Sequence, residues 1–388
     1  MERNQYDAVI AGAGASGMLC ALLLSRQGRS VAIVEKNSIP GKKLSATGNG
    51  RCNFTNLDMS ADCYRSISSE ITWMKTVLSE FDAGDCCHLF EDLGILWRQR
   101  DGYVYPYSNQ ASTVVETLYS SCIQYGVCFY FEEKVTHIQK SDCFTIRTSH
   151  RTLFSENLVL ATGGKAAKSL GGDGSGYRLG RSMGHSVTGL TPGLTGFYSD
   201  SKLCQSMAGV RISGKLMLLI DGEEKEAEIG EIQITKDRVS GIPAFQLCHT
   251  AGLALQDGCK VELLLDFVPD MTIEQCTKFL VKHNLRGIVN SKCIPPIERM
   301  AKGKNPASLA RACKAFLFPV SGTAGFEMAQ VTVGGILLDE VFPQSFESKR
   351  VKGLYLLGEL LDIDGKCGGY NLHFAWAGAY LAAKNMAI

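Results

Sequence analysis

Hydrophobic and polar positions along the chain fall into two textures. Up to about residue 188, short fully apolar runs alternate with stretches whose apolar positions recur at helical spacing. Ala8 to Ala11 reads as a buried strand, Met18 to Gln27 as a helix and Ser30 to Val34 as a second strand. Ile71 to Leu93 reads as a helical excursion, Phe129 to Val135 as a strand, and Phe154 onward as another strand. From Leu190 the pattern changes to short alternating runs, Gly209 to Ser213, Lys215 to Ile220 and Lys260 to Phe267. Asp221-Gly222 is a turn signal between them, and the acidic run that follows Gly222 reads as a solvated turn. Helices are expected over Met271 to Asn284 and Ala307 to Phe316, and the first texture returns near Gly322. An apolar helix closes the chain, from Gly368 to about Ala387. The predicted fold is α/β. A discontinuous Rossmann-like domain, 1–189 and 322–388, is interrupted by a β-rich insert carrying helices, 190–321.

The glycines that punctuate the first strand carry chemistry. Gly12, Gly14 and Gly17 form a G-x-G-x-x-G between strand and helix, and the second strand ends in Glu35, 18 residues after the last glycine. Gly12 permits a tight turn, Gly14 lets backbone approach a pyrophosphate, and Gly17 lets helix and strand pack closely. Ala15 and Ser16 begin the helix, where unpaired N–H groups favour phosphate. Glu35 is placed to accept from a ribose 2′-OH, with Lys36 beside it. The pattern predicts a bound dinucleotide.

Two further strands separate FAD from NAD. One ends in Ala161-Thr162-Gly163-Gly164, and the other runs from Gly353 into Gly358-Glu359 and on to Asp362. With the N-terminal fingerprint they resemble the three signatures of two-domain FAD enzymes of the glutathione-reductase and fumarate-reductase superfamily. That resemblance implies that Glu359, or else Asp362, lies near the ribityl–pyrophosphate of a non-covalent FAD, and that Val135 lies near the adenine. Three longer segments narrow it: Gly41 to Asn56, with G-K-K-x-x-x-T-G-N-G-R-C-N; Gly172 to His185; and Gln330 onward to Asp362-Ile-Asp-Gly-Lys-Cys-Gly-Gly-Tyr-Asn-Leu-His373. This set resembles the BaiN/YhiN family of bacterial flavoproteins along nearly the whole chain. The family implies an FAD-dependent oxidoreductase using NAD(P)H, and its association with bile-acid dehydroxylation implies reduction of an activated C=C bond in a small organic, steroid- or bile-acid-like molecule. A flavin oxidase of a small amine or ketone is the rival enzyme. A non-enzymatic flavin-binding or RNA-modifying accessory protein is a third reading.

Within these segments, Lys43, Gly48, Gly50, Arg51 and Cys52 are expected to line the cofactor, with Arg51 facing phosphate or substrate charge. Cys52 has no C-x-x-C partner, so packing beside the flavin ring is expected of it rather than catalysis. Gly369, Tyr370, Asn371 and Leu372 begin the last helix, with Asn371 as its cap. A helix N-terminus aimed at the N1/C2=O edge would stabilise the charge of a reduced flavin. Tyr370 and His373 are the candidate proton donors. The substrate is expected where the insert meets the flavin domain. No second G-x-G-x-x-G has its own strand and acid, so a nicotinamide donor would dock transiently.

Bulk numbers remove other classes. A formal net charge of +1 over 388 residues argues against a nucleic-acid surface. No apolar run approaches the ~20 residues of a membrane helix, and the N-terminus leaves no room for a signal peptide. Fifteen cysteines without such a signal fit a reducing cytoplasm. Seven scattered histidines show no metal spacing. Oligomeric state and exact substrate are left open.

Overall fold

The computed structural model describes residues 4–69 and 72–386. The chain divides into two compact units, Met1–Leu190 with Val331–Ile388, and Thr191–Gln330. The first unit is built on one sheet, in the order Cys128–Tyr130, Val31–Val34, Gln5–Ala11, Thr152–Leu160, Phe144–Arg147, His137–Lys140. The first four strands run parallel. Val9, Ile33 and Leu158 are fully buried, which is why these strands read as continuous apolar runs rather than alternating ones. Thr152–Leu160 pairs antiparallel with Phe144–Arg147 at its start and parallel with Leu354–Leu356 at its end. Helices Ala15–Arg26 and Tyr370–Asn385 pack against each other and share the sheet's core. The parallel strands all end on one side, where α/β proteins bind ligands.

Several elements differ from the sequence reading. The helical excursion is two helices, Thr72–Glu80 and Ala83–Asp92, because Asp82 and Asp85 form a reciprocal cap that starts the second; Ile71 lies outside the described residues. The strand expected to reach Val135 stops at Tyr130, since Glu132 has φ +57° and the amides of Glu132 and Glu133 turn to the carbonyls of Asn37 and Glu35. The last helix ends at Asn385, and Ala387 lies outside the described residues.

The second unit holds a closed six-stranded barrel, in the order Phe197–Ser199, Arg238–Gly241, Glu223–Ile234, Arg211–Ile220, Val261–Asp266, Phe316–Thr323. Leu216, Leu218, Leu263, Leu265, Phe316 and Phe318 fill its core. The two runs read on either side of Gly214 are one strand, and a Cβ at Gly214 would stand 2.6 Å from the Asp266 carbonyl. The acidic run is a solvated strand rather than a turn. Only Asp221 and Gly222, both at positive φ, make the hairpin, and Glu223 already pairs with Ile220. Gly322 is a barrel residue opposite Tyr198, so the return to the first unit follows it, at Val331. Among the described residues no helix is long and apolar enough to cross a membrane, and no group of three His, Cys, Asp or Glu side chains is arranged to hold a metal ion.

Candidate flavin site

Two tight glycines and one open one shape the first corner. Gly12 has φ +110°, and a Cβ there would stand 2.4 Å from the Ala161 carbonyl oxygen. A Cβ at Gly17 would fall 2.0 Å from the Gly12 carbonyl oxygen. A Cβ at Gly14 would meet nothing within 4 Å. Gly14 is also the N-cap of Ala15–Arg26, with no side chain capping it. The amides of Ala15, Ser16 and Gly17 therefore lie in a first turn that has no intrahelical acceptors, beside open space. That is the arrangement a pyrophosphate requires.

Glu35 is buried at the end of its strand. Its Oε2 accepts from the Ala13 amide at 2.7 Å, and Oε1 accepts from the Asn37 amide at 2.8 Å and side chain at 2.6 Å. It ties the glycine turn to the second strand and retains lone pairs for a ribose. Lys36 is turned to Asp173 at 2.8 Å, which Lys134 also reaches at 2.7 Å. Burial raises the Asp173 carboxyl, but hydrogen bonds from Lys134 and Lys36 outweigh it and hold it well below the carboxylate range. Val135 is buried just past the segment paired to Glu35.

The second corner centres on Glu359. Lys43 donates to its Oε2 at 2.5 Å, and the Thr332 amide and hydroxyl donate to its Oε1 at 3.0 and 2.9 Å. Thr332 Oγ1 in turn accepts from the amides of Lys165 and Ala166, fixing the loop after Gly164. A Cβ at Gly164 would stand 2.4 Å from Thr332 Oγ1, so that glycine serves the network, while Gly163, at φ +69°, has open space around it. Thr162 packs against Gly176, where a Cβ would stand 1.9 Å from its hydroxyl. Gly358, at φ +64°, faces the Ser16 hydroxyl. Thr332 went unrecognised in the sequence. Its signal, the Gln330-Val-Thr-Val-Gly-Gly segment, marks the family but not this role.

Asp362 does different work. Fully buried, it accepts from the Ser66 hydroxyl and from the amides of Ile67 and Ser68, the last at 2.7 Å. Its oxygens anchor that loop, so of the two acids considered for the ribityl–pyrophosphate, Asp362 is committed elsewhere.

The third corner joins the loop Thr47–Asn53 to the last helix. Gly48, Asn49, Gly50 and Cys52 all have positive φ, and Gly48, Asn49, Gly50 and Arg51 are exposed. Cys52 is buried, its thiol pushed up to about 12 by burial, so it is not a thiolate at neutral pH. Arg51 lies over the Tyr105 ring at 5.5 Å. Asn53 Oδ1 is buried without a hydrogen-bond partner. Gly369, at φ +94°, caps the helix Tyr370–Asn385, and a Cβ there would stand 2.5 Å from the Thr55 carbonyl oxygen and 2.9 Å from Asn53 Oδ1. Asn371 is not the cap. It sits inside the first turn, and its amide clamps Gly365 at both N and O, at 2.9 and 2.8 Å. Leu372 is half-buried beside it.

The proton-donor candidates part company. His373 is fully buried, with Nδ1 2.9 Å from Thr55 Oγ1 and Nε2 3.3 Å from the Phe81 carbonyl oxygen. Burial pulls it down to about 4. It is a neutral core histidine whose ring nitrogens are both taken, which corrects the catalytic expectation. The Tyr370 hydroxyl donates to the Asp58 carbonyl at 3.3 Å, and burial raises its pKa, so it remains a phenol. The open space at Gly14 and Gly163, the exposed loop glycines and the unpartnered Asn53 oxygen suit a flat, elongated dinucleotide.

The HI0933-like protein Rossmann domain model matches residues 6–385. The chain is 38% identical to the 3-dehydro-bile acid delta(4,6)-reductase of Clostridium scindens, over 97% of both chains. It is 28% identical to the ribosomal RNA dihydrouridine synthase of Escherichia coli, over 100% of this chain and 98% of that one. Its fold matches 3-ketosteroid delta1-dehydrogenase of Sterolibacterium denitrificans with a TM-score of 0.55 at 12% identity, covering 99% of each. The chain therefore belongs to the HI0933-like Rossmann family and is an FAD-dependent oxidoreductase.

Proposed function

We propose that the chain uses NADH or NADPH to reduce a C=C bond conjugated to a carbonyl in a small steroid-like molecule. The observation that carries this is the identity, sustained end to end, with a reductase of dehydro-bile acids. The dihydrouridine synthase relative adds support from chemistry: dihydrouridine is uridine whose base is saturated at a C=C bond conjugated to a carbonyl. Two relatives with unrelated substrates thus share one reaction type.

When bound, FAD supplies hydride transfer at N5. The chain's part is to hold and polarise. The glycine turn with the amides of residues 15–17 takes the pyrophosphate, Glu35 the ribose, and the Glu359–Lys43 pair the segment between phosphates and ring. Gly48, Gly50 and the first turn of the last helix border the ring. Tyr370, a phenol throughout the physiological range, is the proton source; its nearest competitor, His373, is locked in the core.

Anaerobic stopped-flow tests this. The FAD-loaded protein is reduced with NADH or NADPH, then mixed with 3-oxochol-4-en-24-oic acid or with O2. Reoxidation by the enone many times faster than by O2 is expected. Fast O2 reoxidation with no enone reaction would make the chain an oxidase and overturn the proposal.

A further inference from the structure

The hairpin Trp97–Arg100/Tyr103–Pro106 stands beside the glycine loop, with Tyr105 under Arg51. Its register sets Arg98 opposite Tyr105 and Arg100 opposite Tyr103. Strand alternation puts these four on one face, and the other face carries the fully buried Val104. Directly opposed side chains in an antiparallel pair are neighbours. Arg51 arrives from the glycine loop and lies over Tyr105, and Arg98 lies over Tyr107 at 5.6 Å. Arg51, Tyr105, Arg98 and Tyr107 therefore alternate along one strip. Tyr103 extends it to the head of the last helix, where a Cβ on Gly368 would stand 2.9 Å from its ring.

The charges on this strip are unspent. Among the described residues neither Arg51 nor Arg98 has a carboxylate partner; Arg51 Nε donates to the Gly48 carbonyl. Arg100 pairs with its exposed neighbour Asp101, at 3.6 Å. Arg51, Arg98 and Arg100 are exposed, and Tyr103 and Tyr105 are half-buried. A guanidinium beside an aromatic ring, with no carboxylate partner, has donors to spare for bidentate pairing with a carboxylate.

We propose that this strip is a specificity site for an acidic substrate. The substrate's carboxylate pairs with Arg98 and Arg51, and its apolar body lies along Tyr103 and Tyr105 toward the flavin corner. The substrate is then an acid, not a neutral enone. The reading rests on the proposed function above. A nucleic acid fits less well, because Asp58 and Asp101 stand at the hairpin tip, near Gly102, and Glu91 holds Trp97 at its base. Those acids leave room for one compact anion and repel a phosphate chain.

The test is equilibrium binding to the FAD-loaded protein, followed by the flavin absorbance change. The probes are 3-oxochol-4-en-24-oic acid, its methyl ester and a 12-nucleotide oligouridylate, in wild type, Arg98→Gln and Arg51→Gln. The wild type should bind the acid at least tenfold tighter than the ester at low salt, and 0.5 M NaCl should erase most of that ratio. Arg98→Gln should bring the ratio close to one while ester affinity and flavin content hold, which separates lost recognition from lost folding. Equal binding of acid and ester by the wild type overturns the strip and leaves the proposed function standing. Binding of neither steroid overturns both. Oligouridylate binding that exceeds the acid's and falls in Arg98→Gln would make the strip a nucleic-acid surface and overturn the proposal.

Discussion

The helices Ala15–Arg26 and Tyr370–Asn385 look alike and begin for opposite reasons. Both are apolar nearly all round, both are buried, they pack on each other, and each starts at a glycine with no side-chain cap. Gly14 has ordinary φ and empty space beyond it, whereas Gly369 has φ +94° and the Thr55 carbonyl in the way. Nothing in the chain itself requires glycine at position 14, and the proposed function supplies a reason for it in the pyrophosphate. At position 369 the chain alone demands it. A glycine in a binding motif is thus informative about ligand only after its own fold has been shown not to need it.

The sharpest way to break this contrast is Gly369→Val. Positive φ in a β-branched residue costs about 1–3 kcal/mol, and overlap with Thr55 adds about 1–3 kcal/mol. The FAD-free protein should therefore lose roughly 2–6 kcal/mol in thermal unfolding, and an unchanged Tm would remove the contrast. Gly14→Asp should do the reverse. Aspartate is a good N-cap, so the apo Tm should hold or rise, while a carboxylate facing pyrophosphate should weaken FAD by about a hundredfold or more, roughly 2.7 kcal/mol. Full flavin occupancy in that variant would dislodge the site from Gly12–Gly17.

The second helix carries a titrating anchor that the first lacks. His373 goes from 6.5 in the unfolded chain to about 4 in the fold. Between those values the unfolded state binds the extra proton, so this stability is complete above pH 6.5 and drains as pH falls. By pH 5 the loss from this group is about 2 kcal/mol. Unfolding at pH 7 and pH 5 should differ less in His373→Gln by about that amount; an identical pH dependence would mean that the ring is not held neutral. The smallest effect belongs to the loop between the two helices. Cys52→Ser should retain flavin and turn over within about tenfold of wild type, since a thiol at about 12 supplies no thiolate. A hundredfold loss with flavin still bound would restore Cys52 to the chemistry.

Much of the first unit was legible because its signals are local. Ala8 to Ala11, the spacing of Gly12, Gly14 and Gly17, and Glu35 all lie within one βαβ stretch. What escaped depends on distant partners. Asp362 looked like a cofactor acid, and nothing near it in sequence announces the Ser66–Ser68 amides it holds. Asn371 had the spacing of a cap but finds Gly365 instead. His373 owes its neutrality to burial in a core that distant segments complete, with Thr55 and Phe81 at its two ring nitrogens. The acidic strand from Glu223 resembles a turn in sequence because charge hides its periodicity of two, which its pairing with Arg211–Ile220 reveals. Gly322 mimicked a boundary because a glycine inside a barrel strand looks like punctuation.

The long strand Thr152–Leu160 also sets a schedule for synthesis. Its first half meets its antiparallel partner within a few residues, but Leu158 to Leu160 wait for Leu354 to Leu356, with 193 residues lying between Leu160 and Leu354. At 5–20 residues per second, the ribosome leaves that apolar edge open for about 10–40 s while the whole barrel is made. Nascent chains stalled before residue 354 should exchange the amide hydrogens of 158–160 far faster than released chains do, and they mark the interval in which this protein is most exposed to edge-to-edge aggregation.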